Sequence, residues 1–388
     1  MTRRFHLFLA LTAWLVSGCS ILFGGLDVES VASSAAPPSN VAVYLAVSDG
    51  KEPVTDLTEQ SFHLYENEQP LDGDEVKLTL LDRDVAVLHR VVLLVDVSTA
   101  KDDNSRRQLA RGAAGFVAAV REHQAVTVFA FDGSPELKLI GEYPKGNATT
   151  PEELTALSSY QSKDPSRNLN GAILKGLSEL DARLMTEKKP VRVGTLVVFA
   201  TGPDLAGRTS GEALSQALDN THHQVVAVAI GDETTQDNLA VIGRNGVAHS
   251  PSVAMAGIGL DEAAAKVNAL YGRYYLVSYC SPARAGKRRL RVEVQRTTLE
   301  GDEQKGSAEV DFDATGFGPG CDPTRPPRFV EQTATETKPA TPADTSQPAP
   351  DQHKPDTGTT KPEPKEDDDS IVPPPDKPGF APLSEPKK

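Results

Sequence analysis

Cysteine is scarce: the 388 residues hold three, at Cys19, Cys280 and Cys321. None sits in a C-x-x-C pair, so a zinc site built on thiolates has no support. Aromatic residues make up 5% of the chain. Positive charge is also in deficit, and the formal net charge is -14 at pH 7. That balance argues against nucleic acid as the main partner, because such binding rests on cations that neutralise phosphate. There is no G-x-S-x-G turn to present a serine nucleophile. The one glycine-rich candidate, FGGLD around Gly24, lacks the strand-to-helix setting that cradles phosphate. The N-terminal apolar run, LFLALTAWLV from Leu7 to Val16, falls short of the about 20 residues that span a bilayer.

Proline is plentiful but uneven, with about half of the 29 prolines after Cys321. Residues 322–388 are rich in Pro, Thr, Lys, Asp and Glu and poor in apolar clusters. Such a segment cannot bury enough apolar surface to offset the entropy of ordering, so it reads as a disordered, extended tail. The acidic run Glu366 to Ser370 within it reads as a solvated patch rather than a calcium site.

Arg3 and Arg4, the apolar run and then VSGC (Val16 to Cys19) stand in register. This resembles the lipobox of bacterial lipoprotein signal peptides. The resemblance implies removal of residues 1–18 and lipid on Cys19. With Ser20 rather than Asp next, it implies the outer membrane in a two-membrane cell envelope. Residues 19–40 then read as a tether. Assigning Cys19 to lipid leaves Cys280 and Cys321 as an even pair in an exported chain, where disulfides persist. Bonding them would stabilise the fold by roughly 4 kcal/mol in the chain-entropy view.

VAVYLAVSDG (Val41 to Gly50) alternates and ends in a turn signal, as a half-buried strand does. FHLYENEQP and EVKLTLLD continue in that style, so residues 41–88 read as part of a small all-β, sandwich-like module. From Arg90 the rhythm becomes strand, helix, strand. VVLLVDV and GTLVVFATG are continuous apolar runs, as expected for strands covered on both faces. Between them PEELTALSSY reads as a helix with proline in its first turn, and NLNGAILKGLSELDARLM reads as an amphipathic helix. Residues 89–274 therefore predict a doubly wound, mainly parallel α/β sheet. YYLVSYC, RRLRVEVQR and GSAEVDFDA (within 275–321) alternate again, and read as strands returning to the β module.

The segments VVLLVDVST, RNLNGAI, VVFATG and VVAVAIGDE, in this order, resemble a von Willebrand factor A domain. The stretch before them resembles the β module that precedes such domains in bacterial exported proteins. In that family three loops hold a divalent cation through D-x-S-x-S, a threonine and an aspartate, and a partner's carboxylate completes the shell; oxygen ligands suit Mg²⁺. Here Asp96 and Ser98 match the first loop, and Ala100 replaces its second serine. Arg167 stands on the threonine position, with Ser166 one residue away. Thr201 stands on the aspartate position, with Asp204 three residues beyond. The resemblance thus carries a degenerate site, and no metal or other cofactor is expected. Two placements are open for Arg167. Its guanidinium can occupy the cation's position and pair with Asp96, with the hydroxyls of Ser98 and Thr201 in support, or it can point to solvent.

His222 and His223 are adjacent between a helix and a strand, where neighbouring side chains point apart, so no chelate is expected and they read as exposed loop residues. An Asp96–Ser98–His222 hydrolase lacks a nucleophile signature, so no enzyme is expected. The functional expectation is a lipid-anchored cell-envelope protein whose A-like domain binds an unidentified protein partner without metal. The alternatives are a hydrolase using the same loops, or a structural tether acting through its tail. Mass spectrometry of the mature protein should find an N-terminal, lipid-modified Cys19; an intact Met1 or an unmodified Cys19 would contradict the reading of the leader.

Overall fold

The computed structural model describes residues 25–329, apart from 86, 147, 187, 188, 190 and 232–238. Cys19, the leader and Glu366 to Ser370 lie outside the described residues. The chain opens with β1 (Asp27–Ala36), β2 (Asn40–Asp49), β3 (Glu52–Pro53), β4 (Phe62–Glu66), β5 (Gln69–Leu71) and β6 (Thr79–Leu81). Next come β7 (Val87–Asp96), α1 (Asp103–Arg121), β8 (Ala125–Phe131), β9 (Lys138–Tyr143), the single turn α2 (Thr155–Ser158), α3 (Leu169–Leu184) and β10 (Val191–Ala200). Then follow α4 (Gly211–Asn220), β11 (Gln224–Ile230), β12 (Val247–Ser250), α5 (Ala256–Gly272), β13 (Tyr274–Cys280), β14 (Lys287–Thr297) and β15 (Glu303–Asp313).

The six strands of the central sheet run β12-β11-β10-β7-β8-β9, all parallel except β9, which is antiparallel to β8. The continuous apolar runs follow from covering on both faces. Val91, Leu93 and Val95 of β7 pack with α1 and α5, while Val92 and Leu94 pack with α3 and α4. Gly112 lets α1 and α5 approach: a Cβ there would lie 2.9 Å from the amide nitrogen of Gly257. This is the doubly wound α/β fold.

The smaller module is a sandwich of two antiparallel sheets, interrupted by the α/β unit. One sheet is ordered β1-β2-β13-β6 with β3 on β2; the other is β15-β14-β4-β5. Between them, Val41, Val43, Leu45 and Val47 meet Leu64, Leu290, Val292 and Val294. The bond Cys280–Cys321 joins the end of β13 to the chain beyond β15, with Cα atoms 5.7 Å apart.

Several expectations need correction. β2 is buried on both faces rather than one. Its second face, with Ala42, Tyr44 and Ala46, packs on Val87 and Val191 at the base of the α/β sheet. Much of the expected tether is strand β1, paired with β2 along its whole length. Its serines and alanines carry little hydrophobic signal; pairing and close packing make the strand. EVKLTLLD gives strand only at β6, because residues 72–78 turn, with Lys77 at a φ of 52°. The helix expected from Pro151 is only the α2 turn: the chain before it bends and buries Leu154 against α1, and within the turn Leu157 is buried in the same core. The tail does not start at Asp322: residues 322–329 remain on the sandwich, where Phe329 is buried with Tyr44 and Leu276.

At the junction of the two units, His89 of β7 is buried and its Nε2 meets the Tyr44 hydroxyl at 2.8 Å. The ring lies edge-on to Tyr271 at 4.9 Å. Burial pushes its pKa from 6.5 down to about 3, with Asp84 opposing and Arg83 and Lys145 adding to the fall. Burial likewise lowers the pKa of His223, against the pull of Asp181. Between about 6.5 and 3 the unfolded chain binds a proton at residue 89 that the folded chain does not. The contribution is therefore complete above 6.5 and is lost as the pH falls, at about 1.4 kcal/mol per pH unit for one such group. Thermal melts from pH 7 to pH 4 should show a falling Tm, and His89→Gln, which keeps a hydrogen-bonding group for Tyr44, should flatten the slope.

Candidate functional site

The site lies where parallel strands end together. Val95 of β7 is opposite Phe199 of β10, and Asp96 is opposite Phe131 of β8. The loops after these strands, and the loop leading into α3, therefore share the carboxyl edge of the sheet. Asp96, the last residue of β7, is 1% exposed. A buried carboxylate without donors is costly, so its partners decide how the edge is built.

Asp96 Oδ1 accepts a hydrogen bond from the Ser98 amide at 2.9 Å. Its Oδ2 accepts three: from Arg167 Nε at 2.6 Å, the Thr201 hydroxyl at 2.6 Å and the Thr201 amide at 3.1 Å. Arg167 Nη2 donates to Thr201 Oγ1 at 2.6 Å, and Nη1 donates to the Pro203 carbonyl at 2.9 Å. The guanidinium is thus not laid as a two-pronged fork on the carboxylate. It spreads over a carboxylate, a hydroxyl and a carbonyl, which uses its planar set of donors on two loops at once. The Arg167 carbonyl in turn accepts from the amides of Leu205 and Ala206 at 2.8 and 2.9 Å. Both ends of this residue hold the third loop.

The remaining positions behave differently. Ser98 Oγ is buried and takes no part in the Arg167 network, and it has no hydrogen-bond partner among the described residues. Ala100 faces the apolar core with Val97, Leu109 and Ala110 instead of the site. Ser166 Oγ donates to Asp164 at 2.7 Å. Asp204 accepts from the amides of Asn170 at 3.1 Å and Gly207 at 2.8 Å, so it caps the start of α3 from the neighbouring loop. Gly202 has a φ of 153°, and a Cβ on it would meet Arg167 Nη1 at 2.9 Å. A larger residue there is strained in backbone and crowded in space.

Asp132 is a second buried carboxylate of this edge, one that residue type and spacing did not single out. It follows β8 in AVTVFAFDG, the same pattern of apolar strand and acid that singles out Asp96. Its carboxylate accepts from the amides of Ser134 and Lys163, both at 2.8 Å, and from the Ser162 hydroxyl at 3.1 Å. Burial alone would raise its pKa, but these hydrogen bonds outweigh it and hold the carboxyl below the usual range. Arg208 adds bonds to the Gly133 carbonyl at 2.7 Å and to Asp164 at 3.0 Å. The loop carrying Arg167 is therefore anchored from both sides.

The histidines are elsewhere. His223 is buried rather than exposed, 2.8 Å from Asp181 Oδ1, just before the start of β11. Asp96 and Ser98 lie at the opposite, carboxyl end of the sheet, so about six residues of strand, roughly 20 Å, separate them from His222 and His223. Asp96, Ser98 and His222 are not brought together.

A divalent cation does not fit the donor set. A guanidinium stands against the carboxylate, and Asp96 Oδ2 already accepts three hydrogen bonds. Among the described residues, no group of three or more His, Cys, Asp or Glu is placed to hold a metal.

The strand order and two-sided helix cover are those of a von Willebrand factor A-like fold carrying an antiparallel β module. No family model matches the sequence, and no curated protein does. Solved structures that are similar include proximal thread matrix protein 1 from the mussel byssus: 15% identity, 46% of this chain and 48% of that one, TM-score 0.36. This chain thus spans about half the length of the mussel protein. A von Willebrand factor type A protein from Catenulispora acidiphila shares 10% identity over 74% of this chain and 72% of its own, TM-score 0.37. The PilB minor pilin from Streptococcus sanguinis shares 10% over 63% of this chain and 78% of its own, TM-score 0.35. Likeness at this level says nothing of what this chain binds.

Replacing Arg167 strips the one charged donor from a buried carboxylate and leaves three neutral ones, two from Thr201 and one from the Ser98 amide. Arg167→Ala should therefore destabilise the protein by about 2–3 kcal/mol in urea unfolding. Arg167→Lys should recover only part of this, since an ammonium cannot reach three acceptors on two loops in one plane.

Proposed function

We propose that this chain is a lipid-anchored cell-envelope protein, attached through Cys19 at the outer membrane, whose A-like domain docks a protein partner through the carboxyl-edge loops without a bridging metal. The observation that carries the reading is the position of Arg167. Its donors are occupied by Asp96, Thr201 and Pro203, so this guanidinium is not free to take a partner's carboxylate at the cation's position. What remains for a partner is the outer surface of loops held in one arrangement. Leu205 on the third loop is 64% exposed, and Pro165, Pro203 and Lys163 are exposed beside the same network. A pre-ordered surface binds without first losing loop entropy, which favours a fixed, shape-selective contact.

Cross-linking and affinity capture of the lipid-anchored full chain, read by mass spectrometry, tests this. The captured partner should be the same in EDTA and in Mg²⁺, and should be lost with Leu205→Asp. Capture that requires Mg²⁺, or that survives Leu205→Asp but disappears on deletion of residues 330–388, would overturn it; the latter result would favour a tether acting through the tail.

A further inference from the structure

Residues 318–329 form a strap over the sandwich. The Gly318 amide donates to the Pro38 carbonyl, and the Asn40 side chain donates to the Asp322 carbonyl. Ser34 Oγ donates to the Arg328 carbonyl at 2.9 Å and accepts from the Arg328 amide at 3.2 Å. Pro326 and Pro327 line a small cavity of about 130 Å³ against Ser34, Ala36, Ala42 and Ser278. Phe329 is buried at the seam between the sandwich and the α/β unit. Ser34, Ala36, Ala42 and Ser278 are small, which leaves room for an extended chain to lie close. Apart from the buried Pro323 and Phe329, the strap is held by a few hydrogen bonds and by one covalent bond, Cys280–Cys321, near its root.

That bond is open to attack. Both cysteines are partly exposed on the wall of a groove of about 440 Å³, beside Asp72, Lys77, Arg284 and Pro319. By contrast, β14 is paired on both sides, and Leu290, Val292 and Val294 are buried, with no contribution from the strap. The sandwich core and the strap therefore rest on different interactions.

We propose that Cys280–Cys321 is a releasable clasp, whose reduction by a dithiol frees the strap and uncovers the sheet face while the sandwich stays folded. In the exchange, a thiolate of the dithiol attacks one sulfur and the other leaves as a thiolate. The second thiol of the reductant then closes its own disulfide and releases the first cysteine. Two electrons pass to the chain, and the two cysteines end as thiols.

The full chain, with and without dithiothreitol under native conditions, provides the test. Trypsin cleavage between Arg328 and Phe329 should become at least about tenfold faster on reduction, with faster amide exchange in residues 318–329 and β1 and unchanged exchange in β14. Cys321→Ser should match the reduced protein. Equal cleavage rates, a disulfide that dithiothreitol leaves intact, loss of protection in β14 along with the strap, or a Cys321→Ser chain that does not fold would each overturn the clasp, the last two by making the bond a staple of the whole module.

Discussion

A single buried carboxylate sets the terms for the loop edge. Asp96 ends a strand that is covered on both faces, so water cannot compensate its charge. The partner that does so is a side chain from a loop 71 residues away in sequence, with a hydroxyl from a third loop shared between them. Because Arg167 and Thr201 both bond to Asp96 and to each other, none of the three loops can move alone without breaking a bond at a desolvated site. The same geometry takes away the oxygen positions that a divalent cation would need. The linked loops and the occupied carboxylate follow from one arrangement of side chains.

The second organising constraint is the shared sheet of β1, β2, β13 and β6. One face closes the sandwich and the other closes the base of the α/β unit. The α/β unit leaves from the sandwich after β6 and returns as β13, which pairs with both β2 and β6. Both chain connections therefore end in one sheet, and the buried aromatic residues Tyr44 and Tyr274 stack at the junction, 5.3 Å apart. Such a sheet gives the loop edge a fixed base.

Legibility in the sequence followed the strength of local signals. The doubly wound unit was readable because long apolar runs and amphipathic helices repeat in order, and each run needs covering on both faces. The β1 strand was not, because Ser and Ala carry no periodic hydrophobic signal and its stability comes from pairing. The Pro151–Leu157 segment misled for the reverse reason. Its proline and acids suit a helix start, yet burial of Leu154 and Leu157 in the core beside α1 leaves a bent chain before a single turn. At the site, Asp96, Ser98, Ala100, Arg167 and Thr201 could be picked out by position. The role of Asp132 could not, since most of its partners, the Ser162 hydroxyl and the amides of Lys163 and Asp164, come from a loop about thirty residues away.

By itself the sequence determined the class of fold, the interruption of the β module, the residue types at the strand ends and the two placements open to Arg167. These rest on residue type and periodicity, which act over a few turns of chain. Only the tertiary structure decided that Ala100 belongs to the core, that His223 is buried, that β2 is covered twice and that Arg167 reaches Asp96, Thr201 and Pro203 together. The physical reason is distance: each of these depends on which remote groups share a desolvated space, and only the register of the packed strands sets that.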